Sequence, residues 1–465
     1  EQLDIDQKTI KDFAVMVVGL PELAGEGTVE EELKATMASW SGEGVVGVSV
    51  AWQYKDQSED VDELMLMNLK QRLAECDRQP RDVDPTPPEM NAVRKWLWTQ
   101  EQKLLGLVTE EDEAKKWDAP AIKEFLSGLK SSDRAIVVFE TEEAKQRALN
   151  KSAESGGFDI QGSHVELEDV NVEPDTVQWA NLASSDTGRV VIKVILGFGI
   201  IALACFFWAV VFYAPYAYYV LTFNYSNGRQ PGFIVGFSFS MIVVIGNAIM
   251  YETCARISDW VGLSYRDQRE VCYMMLYTIA CMFNVLLDFV TTYITAGIVL
   301  ESLGFRTYFG VKIRDLDSFT LRFESYGMQR ALAENTFAYA FPSTFLIPFL
   351  IEGLPTMAVP YWMGRLIVKS HPEVRGLDAE GWLEMLPMDI GRYADILLNI
   401  ILGILIFYFP GGYTWTLFLG MAASHVWIYL FDYYKVLRQI PAVSYVEIDC
   451  DWWCQVLLAP IVGII

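Results

Sequence analysis

The chain of 465 residues carries a net charge of −24 at pH 7, and 52% of its residues are hydrophobic. Residues 1–187 hold 39 Asp and Glu against 19 Lys and Arg, while the remainder holds 21 against 17. The acidity therefore belongs to the first part of the chain. Because nucleic-acid binding depends on neutralising phosphates with Lys and Arg, this balance argues against nucleic acid as a partner.

Residues 1–187 predict a small α+β domain. An apolar run at Phe13–Leu20 favours a buried strand, and Thr28–Trp40 has apolar residues at helical spacing behind an acidic first turn. Further elements are predicted at Gly44–Tyr54 (strand), Arg134–Phe139 (strand), Glu142–Leu149 (helix) and His164–Leu167 (strand). This order is that of the split ferredoxin-like fold, which RNA-recognition modules use.

RNA-recognition modules hold RNA by stacking its bases on aromatic side chains of the two central strands. The corresponding positions here are Met16 in the first strand and Arg134 and Ile136 in the third. None of the three is aromatic. We therefore expect the domain to bind no nucleic acid and to serve in protein interaction or structure.

An insertion at about residues 56–130 separates the two halves of this domain. It predicts a helix at Asp60–Cys76, a proline-rich break, and a second helix that carries Trp96 and Trp98. The seven cysteines and three histidines of the chain are dispersed, and no nucleophile elbow or phosphate loop occurs. We predict no catalytic residue, metal site or cofactor.

Residues 188–465 consist largely of apolar segments that are long enough to cross a bilayer, for which a helix needs about 20 residues. We predict spans at residues 190–221, 232–255, 269–300, 336–368, 392–410 and 413–435, with the start of a seventh after Trp452. The sequence thus predicts an α-helical polytopic membrane protein with an N-terminal RNA-recognition-like domain.

Polar side chains within the predicted spans are the main functional signal, because a charge at bilayer depth is costly unless it faces a polar cavity. The candidates for an ion pathway are Glu352, Asp288, Asn284, Glu252, Asn247 and Asn399. Asn284 lies one helical turn before Asp288, on the same face. For Glu252 a salt bridge at the membrane interface is an equal alternative, and a buried amide such as Asn247 or Asn399 often only ties helices together.

The predicted span at residues 336–368 contains several helix-breaking residues. Proline removes a backbone donor, so such a helix persists at bilayer depth only where protein or a wet cavity satisfies the freed carbonyls. Bending beside Glu352 would reorient its charge. The predicted gating hinge comprises Pro348, Gly353, Pro355, Pro360 and Gly364. The alternative is a rigid kinked helix in which Glu352 is neutral or paired.

Several motifs occur together in a recognisable order. Glu-Pro-Asp-Thr-Val-Gln-Trp-Ala-Asn-Leu at residues 173–182 precedes the first span, and Tyr251-Glu252, Asn284 and Ile351-Glu352-Gly353 follow. This order resembles the OSCA family of hyperosmolality- and stretch-gated, calcium-permeable cation channels. Residue identity is low, so the chain looks like a divergent member.

The resemblance implies a mechanosensitive, osmosensing channel for Ca²⁺, K⁺ and Na⁺, without enzymatic activity. It implies a homodimer in contact with membrane lipids, with a pore inside each subunit. It also implies a plasma-membrane protein with residues 1–187 in the cytoplasm. Three further helices would precede Glu1, and the chain would continue beyond Ile465.

Two other functions are compatible with the sequence. A lipid scramblase is the first, because the wider superfamily contains both activities on related helix arrangements. A membrane-anchored scaffold, whose acidic domain recruits partners, is the second. Anchoring alone requires no carboxylate in mid-span, so the polar spans argue against the scaffold.

Overall fold

The computed structural model describes residues 8–25, 28–76, 91–105, 117–170, 173–183, 187–228, 232–341, 350–351, 353–371, 374, 376–385, 392–409 and 414–440, with isolated positions after residue 451. A five-stranded antiparallel sheet lies in the N-terminal part, and the rest of the chain is mostly helical.

The strands are β1 (Ala14–Val18), β2 (Val45–Trp52), β3 (Ser131–Phe139), β4 (Phe158–Ile160) and β5 (Ser163–Asp169). They lie in the order β2-β3-β1-β5-β4, and all neighbours are antiparallel. The predicted strands are confirmed, and β4 is an addition. This three-residue hairpin strand is too short to produce a recognisable alternation in the sequence.

Two helices, α1 (Val29–Ser41) and α5 (Glu142–Ser155), cover one face of the sheet. The Thr141 hydroxyl accepts a hydrogen bond from the Ala144 backbone at 3.1 Å and so caps the start of α5. Gly156, with φ of 67°, ends the same helix in the left-handed conformation. The core of this layer is formed by Val15, Leu33, Met37, Val137, Phe139, Ala144 and Ala148.

The insertion forms α2 (Ser58–Cys76), α3 (Ala92–Leu105) and α4 (Ala119–Gly128), and its proline-rich break lies outside the described residues. Trp98 of α3 reaches the helical part of the chain. Its indole nitrogen donates to the Ser370 carbonyl at 3.3 Å, and its ring stacks on His371 at 5.3 Å between centroids. The insertion therefore contacts the end of the helix that carries the last two residues of the predicted hinge.

The second face of the sheet is covered by the chain itself. Met16, which is 5% exposed, packs in a cluster with the short helix α6 (Trp179–Leu182) and with Tyr265. The backbone of Gln178 donates to the Ser264 carbonyl at 2.9 Å. In RNA-recognition modules this face holds the bases. Here it joins the sheet region to the helices.

The helical part begins with α7 (Thr187–Trp208), a π-helical segment at Ala209–Tyr213 and α8 (Ala214–Asn227). It continues with α9 (Phe233–Val261), α10 (Arg266–Ser302), α11 (Phe319–Phe323) and α12 (Tyr326–Ala340). A second π-helical segment at Leu354–Ala358 leads into α13 (Val359–Ser370), followed by α14 (Leu377–Leu383), α15 (Arg392–Phe407) and α16 (Thr414–Arg438).

Within the described residues, three helices are long and apolar enough to cross a membrane: Gly188–Asn227, Met241–Val261 and Arg266–Ser302. These helices correspond to the first three predicted spans and suggest a membrane-associated protein. Helix α15 is apolar but shorter. Part of the predicted span at 336–368 lies outside the described residues, and the remaining spans stay predictions.

Helix α10 lies at the centre of the helical part. It packs against α7, α8, α9, α12 and α15. The shared core includes Cys205, Tyr213, Val243, Cys254, Tyr273, Met274, Leu398 and Leu402. Because these helices cover one side of α10, polar side chains on that side are withdrawn from solvent, whereas Leu286 and Ile294 on the other side are 58% and 56% exposed.

Candidate functional site

One face of α10 carries a row of polar side chains, which we call the polar stripe. It consists of Tyr277, Cys281, Asn284, Asp288, Thr292 and Thr295. The intervals of three and four residues place all six on one side of the helix. Five of them are less than 9% exposed, and Asn284 is partly buried. The stripe runs through the interior of an otherwise apolar bundle.

Asp288 is the acidic residue of the stripe. Its side chain is 5% exposed, and the Asn284 amide donates to its Oδ2 at 3.4 Å. Its Oδ1 has no hydrogen-bond partner. No Lys or Arg within the described ranges forms a salt bridge with it. A buried carboxylate without a cation is expensive, so Asp288 is the residue that most needs an explanation beyond packing.

The π-helical segment between α7 and α8 brings a tyrosine to the stripe. The Tyr213 hydroxyl lies 2.8 Å from Oγ1 of Thr292, which is one turn beyond Asp288. A π turn inserts one residue into the helix and changes the side-chain directions that follow, a feature that often marks functional sites. Pro215, the second residue of α8, has no backbone N–H to donate to the preceding turn. The irregular backbone thus positions Tyr213.

The opposite end of the stripe contacts α15. The Tyr277 hydroxyl donates to Oδ1 of Asp395 at 2.8 Å. Asn399 lies one turn beyond Asp395, is 1% exposed, and has no hydrogen-bond partner for either amide atom. Asn335 of α12, which packs against α15, is 4% exposed with its Nδ2 unpaired. Helices α10, α12 and α15 therefore each contribute a buried polar group with an unpaired atom.

The structure places the predicted pathway residues in different surroundings. Asn284 and Asp288 are brought together, and Asn247 of α9 lines the same cavity as Asn284. Asn399 lies inside the bundle on α15. Glu252 instead lies on the exposed side of α9, where Arg256 donates to it at 2.6 Å. This is the salt-bridged alternative that the sequence left open.

The predicted hinge is only partly described. Glu352 and Pro348 lie outside the described residues, and the side chain of Pro355 does too. Gly353 directly precedes the π-helical segment, so the helix is irregular where the breakers occur. A Cβ on Gly353 would lie 3.0 Å from the Phe431 ring. Pro360 is exposed in the first turn of α13, a position that tolerates proline.

Gly364 has a packing explanation. A Cβ at this position would lie 2.0 Å from the Trp382 carbonyl oxygen, so the glycine permits the close approach of α14 to α13. Its place in the hinge is therefore accounted for by contact between two helices. The hinge prediction rests on Gly353 and the neighbouring π-helical segment.

Five residues of this arrangement were not predicted as site residues from the sequence: Tyr213, Tyr277, Thr292, Asp395 and Asn335. The repeat of polar residues from 277 to 295 was nevertheless visible as a helical periodicity. The Tyr213–Thr292 and Tyr277–Asp395 contacts join residues 79 and 118 positions apart. No local pattern predicts such pairs.

The polar stripe and its neighbours present carboxylate, amide and hydroxyl oxygens. Carboxylate, amide and hydroxyl oxygens are ligands for hard cations. Within the described ranges, no three His, Cys, Asp or Glu side chains converge as metal ligands.

No protein-family model matches the chain, and no curated protein matches it either.

Proposed function

We propose that the chain is part of a polytopic membrane protein that conducts cations, of the mechanosensitive and osmosensing, calcium-permeable kind that the OSCA resemblance implies. Asp288 is the observation that carries this proposal. It is an acid on the central helix of the bundle, buried and without a basic partner among the described residues. A permeating cation would supply the missing counter-charge.

The polar stripe supports the same function. Its amide and hydroxyl groups continue along α10 on both sides of Asp288, as a pathway through an apolar bundle requires. An acidic group in low-dielectric surroundings favours cations over anions. The second acidic position, Glu352, remains part of the proposal through its place beside Gly353.

Stretch-evoked currents of the full chain in proteoliposomes test the proposal. Asp288→Asn keeps the size and removes the charge, and we expect single-channel conductance to fall roughly twofold or more. Glu252→Gln is the matched control, because it removes one negative charge from the exposed side of α9. It should leave conductance nearly unchanged.

If wild type and Asp288→Asn are both well folded and have equal conductance, Asp288 does not line the ion pathway. Glu352→Gln should lower conductance or calcium preference, and Gly353→Ala should change the tension needed to open. A fluorescent-lipid assay in the same vesicles separates a scramblase from a channel. If the vesicles show neither current nor lipid transfer, the membrane-anchored scaffold is the remaining function.

A further inference from the structure

A cavity of about 350 Å³ lies between α7, the π-helical segment at Ala209–Tyr213, α9 and α10. These helices belong to the three segments that are long and apolar enough to cross a bilayer. Cavities of this size that are mostly apolar, with a few polar groups, are typical of small-molecule sites. The cavity is separate from the Tyr277–Asp395 contact and touches the polar stripe only at Cys281 and Asn284.

The cavity is elongated. On α9 its lining extends from Ile242 to Thr253, a length of roughly 17 Å at the helical rise per residue. An extended hydrocarbon chain can lie along this length against the apolar side chains of α7 and α9.

One wall of the cavity is built by close packing. The Trp208 ring lies against Gly246, where a Cβ would be 2.6 Å from the ring, and it also stacks on Phe212 at 5.2 Å. The rim is apolar and open, since Phe207 and Ile249 are 58% and 63% exposed. A helix surface of this kind faces hydrocarbon in a bilayer, so lipid has lateral access.

The polar groups of the lining are uncharged. Asn247 is half-buried and makes no hydrogen bond within the described part of the chain, and no lining residue carries a charge. An amide offers both donors and an acceptor to an ester or hydroxyl group. An anionic headgroup would find no cation here, and Asp288 lies one turn from the Asn284 end.

We propose that this cavity binds a neutral single-chain lipid of the monoacylglycerol type. The hydrocarbon chain fills the space between α7 and α9, and the ester or hydroxyl group bonds the Asn247 amide. The proposal does not depend on ion conduction. It requires only that the three helices lie in a bilayer.

Photolabelling of the full chain in phosphatidylcholine nanodiscs tests the site. The probe is a monoacylglycerol with a diazirine in its chain, and labelled peptides are located by mass spectrometry. We expect label on residues 204–212 and 242–253. An excess of unlabelled monooleoylglycerol should reduce it roughly fivefold, whereas a lysophospholipid with the same chain should compete poorly.

Two matched variants separate the cavity from general lipid contact. Ala204→Phe fills the cavity and should abolish the label, whereas Ala202→Phe, on the same helix outside the lining, should retain it. Asn247→Leu should weaken labelling by the monoacylglycerol but not by a diazirine alkane.

If Ala204→Phe does not fold, Ile249→Trp closes the rim and serves as the cavity-blocking variant instead. Label spread evenly over the exposed helix faces and insensitive to Ala204→Phe or Ile249→Trp would overturn the proposal, as would equal competition by the charged lipid.

Discussion

Buried polar side chains are more completely hydrogen-bonded in the sheet region than in the helical bundle. In the sheet region Lys145, 8% exposed, donates to the Lys11 carbonyl at 2.9 Å and pairs with Asp169 at 2.7 Å. Ser152, also buried, accepts from the Leu167 backbone at 3.1 Å. In the bundle, Asp288, Asn399 and Asn335 are as deeply buried, yet each retains an atom without a partner.

The unpaired polar groups of the bundle therefore lower the stability of the folded chain. Each unsatisfied buried polar group costs about 1–3 kcal/mol, and an apolar residue of similar size would avoid that cost. Among the described residues of the sheet region, four buried side chains follow the rule that buried polar groups are paired, namely Ser131, Ser132, Lys145 and Ser152, and Oγ1 of Thr9 is an exception. The bundle departs from it along α10 and α15. Such departures are expected at sites that act on a ligand or ion.

The largest stability effect is expected in the sheet core. Phe139→Ala removes a side chain that is 1% exposed and should destabilise the sheet region by about 3–5 kcal/mol. Hydrogen exchange of β1 and β3 in the full chain measures this loss. Val46→Ala, at a position 58% exposed, is the control and should change protection by less than about 0.5 kcal/mol. Equal effects of the two variants would show that this core does not govern local stability.

In the bundle, the paired tyrosine should matter for stability. Tyr277→Phe removes the hydroxyl that donates to Asp395, and a cost of about 1–3 kcal/mol is expected. The melting temperature of the detergent-solubilised chain reports the change. Tyr429→Phe, on the exposed side of α16, is the control. An unchanged melting temperature for Tyr277→Phe would contradict a stabilising role for the contact.

The unpaired amide should behave in the opposite way. Asn399→Leu replaces a buried amide by an apolar side chain with the same branching and number of non-hydrogen atoms. We therefore expect stability to rise by about 1 kcal/mol and, under the proposed function, ion conduction to fall. Melting temperature and conductance are measured on the same preparation. Ile400→Leu on the same helix controls for repacking. A large loss of stability in Asn399→Leu would show that the amide has a structural role.

The smallest effect is expected at the surface of the sheet region. Arg147 donates to Glu43 through two contacts, one of 2.8 Å, and this hydrogen bonding lowers the pKa of Glu43. A lowered pKa in the folded state adds stability above the ordinary glutamate pKa, and the contribution is lost as pH falls through the lowered value. Arg147→Gln should therefore be slightly less stable than wild type at neutral pH and equal to it at acidic pH. Pulse proteolysis at neutral and acidic pH measures this difference in stability. A difference that persisted at acidic pH would have a cause other than the Arg147–Glu43 contact.

The helical part shows how far local patterns reach. The first three spans follow from runs of apolar residues, because length and composition are properties of a single segment. Asn284 and Asp288 could be paired from their spacing for the same reason. The π-helical segment at Ala209–Tyr213 could not, because it changes the register by one residue and depends on packing against α10.

Local sequence determined four of the five strands and the two helices that cover the sheet. It also determined the acidic character of the first 187 residues, the first three apolar helices and the polar face of α10. Tertiary structure alone decided that Glu252 lies outside the bundle while Asp288 lies within it, although both are acids on apolar helices. It also decided that one sheet face is covered by α6 and Tyr265. The physical reason is that burial and pairing depend on which helices become neighbours, and neighbours distant in the chain leave no periodic signal in either segment.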